Sequence, residues 1–568
     1  MEIKGLIIDF SHLNAEYSYL LDETSKEVVH YINNFSKEII EKSDSSIASL
    51  FSIITSRHSY QNKLFLYLSY LLLIKKIVDE KRPIKEIRIP ERILLKPIVA
   101  FLKSKNQITK VLINETASKK QKIISYLKSL INIISIFFIS YRFLLNRKTD
   151  RYKNINDKGQ LILIDTFILE DSLAEQRYID RYYTGMHGML PGNIKTNIFY
   201  VPTILSSYKK KQLDRIFDNS NENMLYKHDF LNIKDYINSF KSMIMFKLPG
   251  KLFLFNEFNI SEIVKTEFRR TRFSLSSFRA FLNYYFIRNL KNKKIDIKLF
   301  INWNENQVID KALIRSIKDF YPNCYVKGYQ GFITSTNFHF YLPPTKFEIE
   351  NRVIPDEICV TGNALKDNIR RYTPNIKVSV APAFRFLNNN KFITGVAPRG
   401  ILLILPIGIE ESVQIVQLFC NASILIREKV IEVNVKNHPA INISKLKNEL
   451  NKIFTIPFKF VDKKLPDIVN NYSVVIGSSS SALLETVSWG TPVIIIANNK
   501  GITQNPIPKS VSHEIWRLVY TPDELAESVN YYASTTDLER EKFIVLGEKI
   551  RKDYFAPITR KEVRKFLS

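Results

Sequence analysis

Val474-Val475-Ile476-Gly477-Ser478-Ser479-Ser480-Ser481-Ala482-Leu483-Leu484-Glu485, closed by Trp489-Gly490-Thr491-Pro492-Val493-Ile494-Ile495, decides the fold of this chain. It reads as a buried strand, a turn of small residues, a helix start and a second buried strand. A helix start leaves backbone N–H groups without intrahelical partners, and the helix dipole makes that end positive. Consecutive hydroxyls at such a point favour an anion, a phosphate above all. A cap needs only one hydroxyl, so the run from Ser478 to Ser481 exceeds what capping requires. Glu485 falls about one turn into the helix, where a carboxylate accepts from a ribose diol. Further upstream, Asn434-Val435-Lys436-Asn437-His438-Pro439 ends another strand with a basic residue and an imidazole.

Outward from this core the chain alternates strands and helices. Strands are expected over 2–10, 84–89, 109–113, 160–165, 196–201, 251–255, 295–301 and 324–328, with helical patterns between them, notably 64–80, 261–290 and 307–319. A second series opens near Ile358-Cys359-Val360-Thr361-Gly362 and continues through 400–406, 431–435, 458–461, 473–476 and 492–496. Tyr341-Leu342-Pro343-Pro344 and Ile354-Pro355-Asp356 read as a hinge. Short apolar runs separated by helices argue for parallel sheets covered on both faces. The expected fold class is α/β, with two Rossmann-like doubly wound domains facing across a cleft. The first covers 1–345 and the second 346–545, with a C-terminal helix over 546–568 packing back on the first. Ligands of such sheets bind beyond the carboxyl ends of the strands, where these motifs lie.

At 568 residues the chain exceeds one core, and 45% hydrophobic with 12% aromatic residues is globular composition. A formal charge of +27 points to an anionic neighbour: nucleic acid, anionic lipid or an acidic substrate. Cys324, Cys359 and Cys420 lack metal-ligand spacing, and so few cysteines fit a reducing cytosol. The opening residues read as a first strand rather than a signal peptide. The most apolar stretch, Ser129 to Leu145, is interrupted by Asn132 and Arg142; residues 101–150 hold ten Lys/Arg against two carboxylates. A basic apolar insertion at about 118–155 has the makeup of a helix resting in a headgroup region, docking on an anionic membrane surface through about 118–148. A buried core helix with a basic flank is the plainer alternative.

Two such domains with the phosphate pocket in the second resemble GT-B glycosyltransferases, and Gly490-Thr491-Pro492-Val493-Ile494 after the small-residue turn resembles the donor motif of that fold. His438-Pro439 followed by the serine run resembles the His-Pro and Ser-rich motifs of bacterial sialyltransferases and capsule Kdo transferases, which use CMP-activated acidic sugars. Ile358-Cys359-Val360-Thr361-Gly362-Asn363-Ala364-Leu365-Lys366 resembles the Val-Thr-Gly-Asn-x-Lys segment of lipid A Kdo transferases, with one residue extra before the lysine. The whole chain is similar to bacterial surface-carbohydrate biosynthesis proteins. The motifs cover mostly 300–500, and the first 300 residues match by architecture only. The resemblance implies transfer of a nonulosonate or Kdo from CMP to a lipid-linked glycan in capsule or lipopolysaccharide synthesis, by a cytoplasmic protein peripheral on the inner membrane.

In that frame Ser478, Ser479, Ser480 and Ser481 hold the donor phosphate, His438 donates to it, Lys436 neutralises charge and Glu485 binds the ribose. A first-domain carboxylate supplies the base. Glu305, in Trp303-Asn304-Glu305-Asn306-Gln307 after a strand, is the leading candidate, with the plain alternative of an acid favoured by a helix dipole. Glu257 after 251–255 is second, with Asp165 and Glu170-Asp171 behind it. Gln330 and Gly331, in Gly328-Tyr329-Gln330-Gly331-Phe332, read as a sugar contact or as a tight turn, and Asn363 as a donor contact. The Asp/Glu-Asp/Glu-Gly triplet of many sialyltransferases is absent, which leaves the base assignment open. Without an Asp-x-Asp motif or zinc spacing, no metal or other cofactor is expected. Gly-x-Gly-x-x-Gly and P-loop motifs are absent, against dehydrogenase and NTPase readings. The rivals are a UDP- or GDP-sugar transferase, a CDP-glycerol-type phosphotransferase and a non-catalytic polysaccharide-assembly scaffold. A nucleic-acid partner is not expected, because the densest basic cluster borders an apolar helix rather than a groove.

Overall fold

The computed structural model describes residues 5–568 apart from 44–45, 114, 149, 170–171, 175–176, 206–209, 219, 335–338, 340, 387–399, 427–431 and 439–442. Among the described residues fifteen strands build three parallel sheets: β1 Leu6–Asp9, β2 Ile84–Ile89, β3 Lys110–Ile113, β4 Leu161–Ile168, β5 Ile198–Ile204, β6 Ile297–Trp303, β7 Tyr325–Gln330, β8 Glu357–Val360, β9 Lys377–Val380, β10 Ile401–Ile404, β11 Val433–Lys436, β12 Lys459–Phe460, β13 Val474–Gly477, β14 Val493–Ile496 and β15 Trp516–Val519. The helices that matter below are α1 Ala15–Glu41, α2 Leu64–Asp79, α3 Glu115–Leu145, α4 Ile233–Met245, α5 Ser261–Thr271, α6 Leu275–Asn292, α7 Val308–Phe320, α8 Ile409–Ser423, α9 Ala482–Ser488, α10 Pro522–Ala533, α11 Asp537–Tyr554 and α12 Arg560–Leu567.

The first three strands form their own sheet, β1-β2-β3. The second sheet runs β9-β8-β7-β6-β4-β5 and the third β12-β11-β10-β13-β14-β15. In the third, β10, β13 and β14 are buried along their whole length. Their apolar runs face helices on both sides, which is why they do not alternate.

Two strand expectations change. The segment 357–360 does not open the second series: β8 pairs with β7 through Lys327–Glu357 to Gln330–Val360, and β9 follows beside it. The third sheet therefore begins at Ile401. Proline marks a short crossover here as readily as a hinge: a Cβ on Gly328 would lie 2.5 Å from Pro355 Cγ, so the proline sits tight against β7. The segment 251–255 yields only the two-residue strand Leu254–Phe255, paired antiparallel with Phe258–Asn259. The helix expected over 261–290 is two helices, α5 and α6, the second capped by the Ser274 side chain.

The C-terminal helices join the sheets. On the third-sheet side α11 packs against the turn after α9, where Gly490 has φ +80° and a Cβ would lie 2.9 Å from Ile544 Cα. Beyond α11, the Ala556 N–H donates to Thr361 O at 2.6 Å, on the second-sheet side. In α12 the Phe566 carbonyl accepts from Lys327 Nζ at 3.0 Å. The N-terminal lobe also meets the third-sheet side: the Leu13 N–H donates to Asn499 O at 2.7 Å, and Asp22 accepts from the Thr503 N–H at 2.7 Å.

Candidate active site

Each large sheet has one point where successive connections leave in opposite directions, and a crevice opens there beyond the carboxyl ends. In the second sheet it lies between β4 and β6, and in the third between β10 and β13. Glu305 follows β6, Ser478 and Ser479 follow β13, and α8 with Glu411 follows β10.

Glu305 is half-buried and held on both oxygens: Trp303 Nε1 donates to one at 2.8 Å and Gln307 Nε2 to the other. Burial pushes its carboxyl above the ordinary range, while Trp303, the Arg385 charge and Gln307 pull it back. Its backbone N–H donates to Asp310 Oδ2 at 2.9 Å, the residue that closes the capping box of α7. Asp165, within β4, is buried; Asn302 Nδ2 donates to it at 2.9 Å and the Lys227 ammonium lies 3.8 Å away. Burial raises Asp165 and lowers Lys227.

Arg385, which no motif singles out, carries a charge that bears on residues of both large sheets. It lies in the short turn Phe384–Phe386 on the segment between β9 and β10. Its guanidinium sits 5.7 Å from the Trp303 ring centre and 5.8 Å from that of Tyr182, and it is exposed. Its charge bears on Glu305 from the second sheet and on Glu485 and His438 from the third. A cation stacked on aromatic faces among carboxylates would have been hard to infer from sequence, because its partners lie about 50 to 200 residues away in the chain.

The serine turn differs from a ready phosphate cradle. Ser478 Oγ donates to Glu411 Oε1 at 2.6 Å, and Ser479 Oγ lies 3.1 and 3.3 Å from the two oxygens of the same carboxylate. Burial raises the Glu411 carboxyl, and the serine donors oppose that. Ser480 Oγ accepts from the Ala482 N–H at 3.3 Å, and Ser481 makes no side-chain cap bond. Glu485 is half-buried, and burial pushes it up to about 8, with Arg385 pulling the other way. Burial thus favours the protonated carboxyl at this position, about one turn into α9. His438 is lowered, first by burial and then by the Arg385 charge, both of which favour the neutral imidazole.

The other expected residues have different surroundings. Glu257 is exposed and ion-paired to Lys75 at 3.2 Å and Lys105 at 2.7 Å, because its strand turns into a surface hairpin and does not end at a sheet crevice. Gln330 is fully buried. Gly331 serves packing: a Cβ there would meet the Trp303 ring at 2.5 Å. Asn363 is exposed beside the end of α11, where a Cβ on Gly362 would lie 2.3 Å from Asp553 O. Lys436 Nζ donates to Lys463 O at 2.7 Å. Pro439, Glu170 and Asp171 lie outside the described residues. Among the described residues no cluster of three or more His, Cys, Asp or Glu is placed to hold a metal ion.

Two Rossmann-like parallel sheets, their carboxyl-end residues meeting around Arg385 and their C-terminal helices crossing back, form the GT-B arrangement. The chain matches no family model and no curated protein. Among solved structures it is similar to the wall teichoic acid polymerase TagF soaked with CDPG, at 8% identity and TM-score 0.35, over 78% of this chain and 96% of that one. It is similar to S. aureus TarM in complex with fondaparinux, alpha-GlcNAc-glycerol and UDP, at 9% identity and TM-score 0.41, over 72% and 99%. UDP-GlcNAc 2-epimerase from Neisseria meningitidis bound to UDP-GlcNAc is similar at 12% identity and TM-score 0.36, over 72% and 98%. At these values the likeness says nothing of substrate.

Proposed function

We propose that this chain is a glycosyltransferase of bacterial surface-polysaccharide synthesis that takes an acidic sugar from a CMP donor and passes it to a lipid-linked glycan. The observation that carries the reading is Arg385, an exposed cation over the Trp303 and Tyr182 rings whose charge bears on Glu305, Glu485 and His438. An anionic donor entering the cleft meets Arg385 at its phosphate or sugar carboxylate, a bidentate match for a guanidinium. Ser478 and Ser479 take the phosphate as Glu411 gives way, and the neutral His438 donates to the leaving nucleotide. Glu305, made more basic by burial, removes the proton of the acceptor hydroxyl as it attacks the anomeric carbon. The C–O bond to CMP breaks as the new glycosidic bond forms, and the phosphate keeps the electron pair. The apolar, basic insertion brings the chain to the membrane that carries the acceptor.

A thermal-shift panel with CMP, CDP, UDP and GDP tests this reading, since a ligand that binds the native state raises apparent stability. Stabilisation by CMP over the others, lost in Arg385→Ala, is the expected result. Preference for UDP or GDP overturns the donor class, preference for CDP turns to the CDP-glycerol-type reading, and no response to any nucleotide supports the scaffold.

A further inference from the structure

The exposed apolar surface of α3 is not alone. Leu130, Ile134, Phe137, Phe138, Tyr141 and Leu145 recur at helical spacing and are 53–65% exposed, whereas Ile136 and Phe143 on the other face are buried. On α4, Ile233, Ile237, Ile244 and Met245 are 45–62% exposed, whereas Tyr236 and Met243 are buried. The two faces adjoin where Phe137 meets Phe240 at 5.5 Å between ring centres, and Phe240 is backed by Phe273 at 5.8 Å. A continuous apolar face on two helices exceeds what a surface normally leaves in water.

Its charge identifies the occupant. Residues 116–149 contain seven Lys/Arg and no carboxylate. On α4, Lys234 and Lys241 stand exposed among the apolar residues, and Lys247 follows just beyond. The one acid of α4, Asp235, is buried and ion-paired to Arg288 at 2.7 Å. A second copy of the chain would set lysines against lysines. An anionic bilayer offers hydrocarbon to the isoleucines and phosphate to the ammonium groups. Among the described residues no helix is long and apolar enough to cross a membrane.

We infer that α3 and α4 together are a docking surface for an anionic lipid bilayer, α4 supplying half of the inserted apolar face and its lysines. The inference deepens the proposed use of a lipid-linked acceptor and rests on that reading for its purpose. The surface is tied to the second sheet at the side where Glu305 sits. Phe143 at the end of α3 stacks on His228 at 3.7 Å, and the neighbouring Lys227 donates to Thr203 Oγ1 at 2.7 Å near the end of β5. Docking therefore holds the carboxyl-end crevice of the second sheet close to the headgroups.

Flotation of the full chain with phosphatidylethanolamine/phosphatidylglycerol vesicles, against phosphatidylcholine vesicles, tests the inference. The wild type should float with the anionic vesicles and release in high salt. Three double variants should each lose about tenfold or more of that binding: Ile237→Ser with Met245→Ser, Phe138→Ser with Tyr141→Ser, and Lys234→Glu with Lys241→Glu. Their thermal midpoints and nucleotide response should match the wild type, because all six side chains are exposed. Undiminished flotation of both α4 variants overturns the inference, as does equal binding to phosphatidylcholine. A dimer in size-exclusion light scattering that these substitutions dissociate would assign the face to a second copy and also overturn it. The vesicles carry no donor or glycan, so intact flotation without any nucleotide response would instead remove the transferase reading.

Discussion

The Ser478 hydroxyl donates to the Glu411 carboxylate across 2.6 Å, and Ser479 bonds the same group, so a carboxylate fills the crevice where the third sheet changes direction. An anion bound at these serines must displace that carboxylate or meet its charge. Glu411→Gln keeps the shape and removes the charge. It should tighten nucleotide binding about three- to tenfold, read by calorimetry, since removing one like charge near a bound phosphate relieves roughly 1 kcal/mol at high effective dielectric. Weaker binding in the Gln variant would instead make Glu411 a ligand contact in its own right.

Arg385 and Glu305 are linked by charge, and the link has a direction. The cation pulls the Glu305 carboxyl down against burial. Arg385→Ala should therefore move the acidic limb of the activity profile to higher pH as well as weaken donor binding. Glu305→Gln should lower turnover about 10²–10⁴-fold with the nucleotide-induced thermal shift retained. Glu257→Gln should turn over at the wild-type rate, because its carboxylate only pairs with Lys75 and Lys105 on the surface.

Glu485 makes stability depend on pH in a fixed sense. Its carboxyl is raised from 4.5 to about 8 in the folded chain, so between these values the folded state holds a proton that the unfolded chain has released. Stability from this group is therefore full below about pH 4.5 and is lost as pH rises through about 8. Urea midpoints near both ends of that window should fall for the wild type with rising pH, and fall less for Glu485→Gln.

Gly331 is packed tightly against the Trp303 ring. Gly331→Ala forces a methyl against the Trp303 ring and should destabilise by about 1–3 kcal/mol, the usual cost of overpacking a core. Differential scanning calorimetry should show the lower midpoint, while the nucleotide response of the folded fraction stays as in the wild type.

Much of the architecture was legible because its signals are local. The runs Val474–Gly477 and Val493–Ile496 are apolar at every position and became the buried strands β13 and β14. Glu305 followed from its place after a strand, and the serine turn from its composition. The strand 357–360 was misplaced because pairing with β7 depends on which edge the chain returns to, and proline-rich connections look alike in both cases. Glu257 was misread because a two-residue hairpin strand and the end of a sheet strand carry the same short apolar signature.

By itself the sequence determined the α/β alternation, the small-residue turn between β13 and α9, and a basic apolar helix, all set by hydrophobic periodicity and backbone chemistry within a few residues. Only the tertiary structure decided that the Arg385 charge bears on Glu305, Glu485 and His438, that Glu411 bonds the serine turn, and that α4 extends the apolar face of α3. Those relationships join residues far apart in the chain. They exist because burying two sheets and closing the C-terminal helices across them brings the carboxyl ends together, which no local pattern encodes.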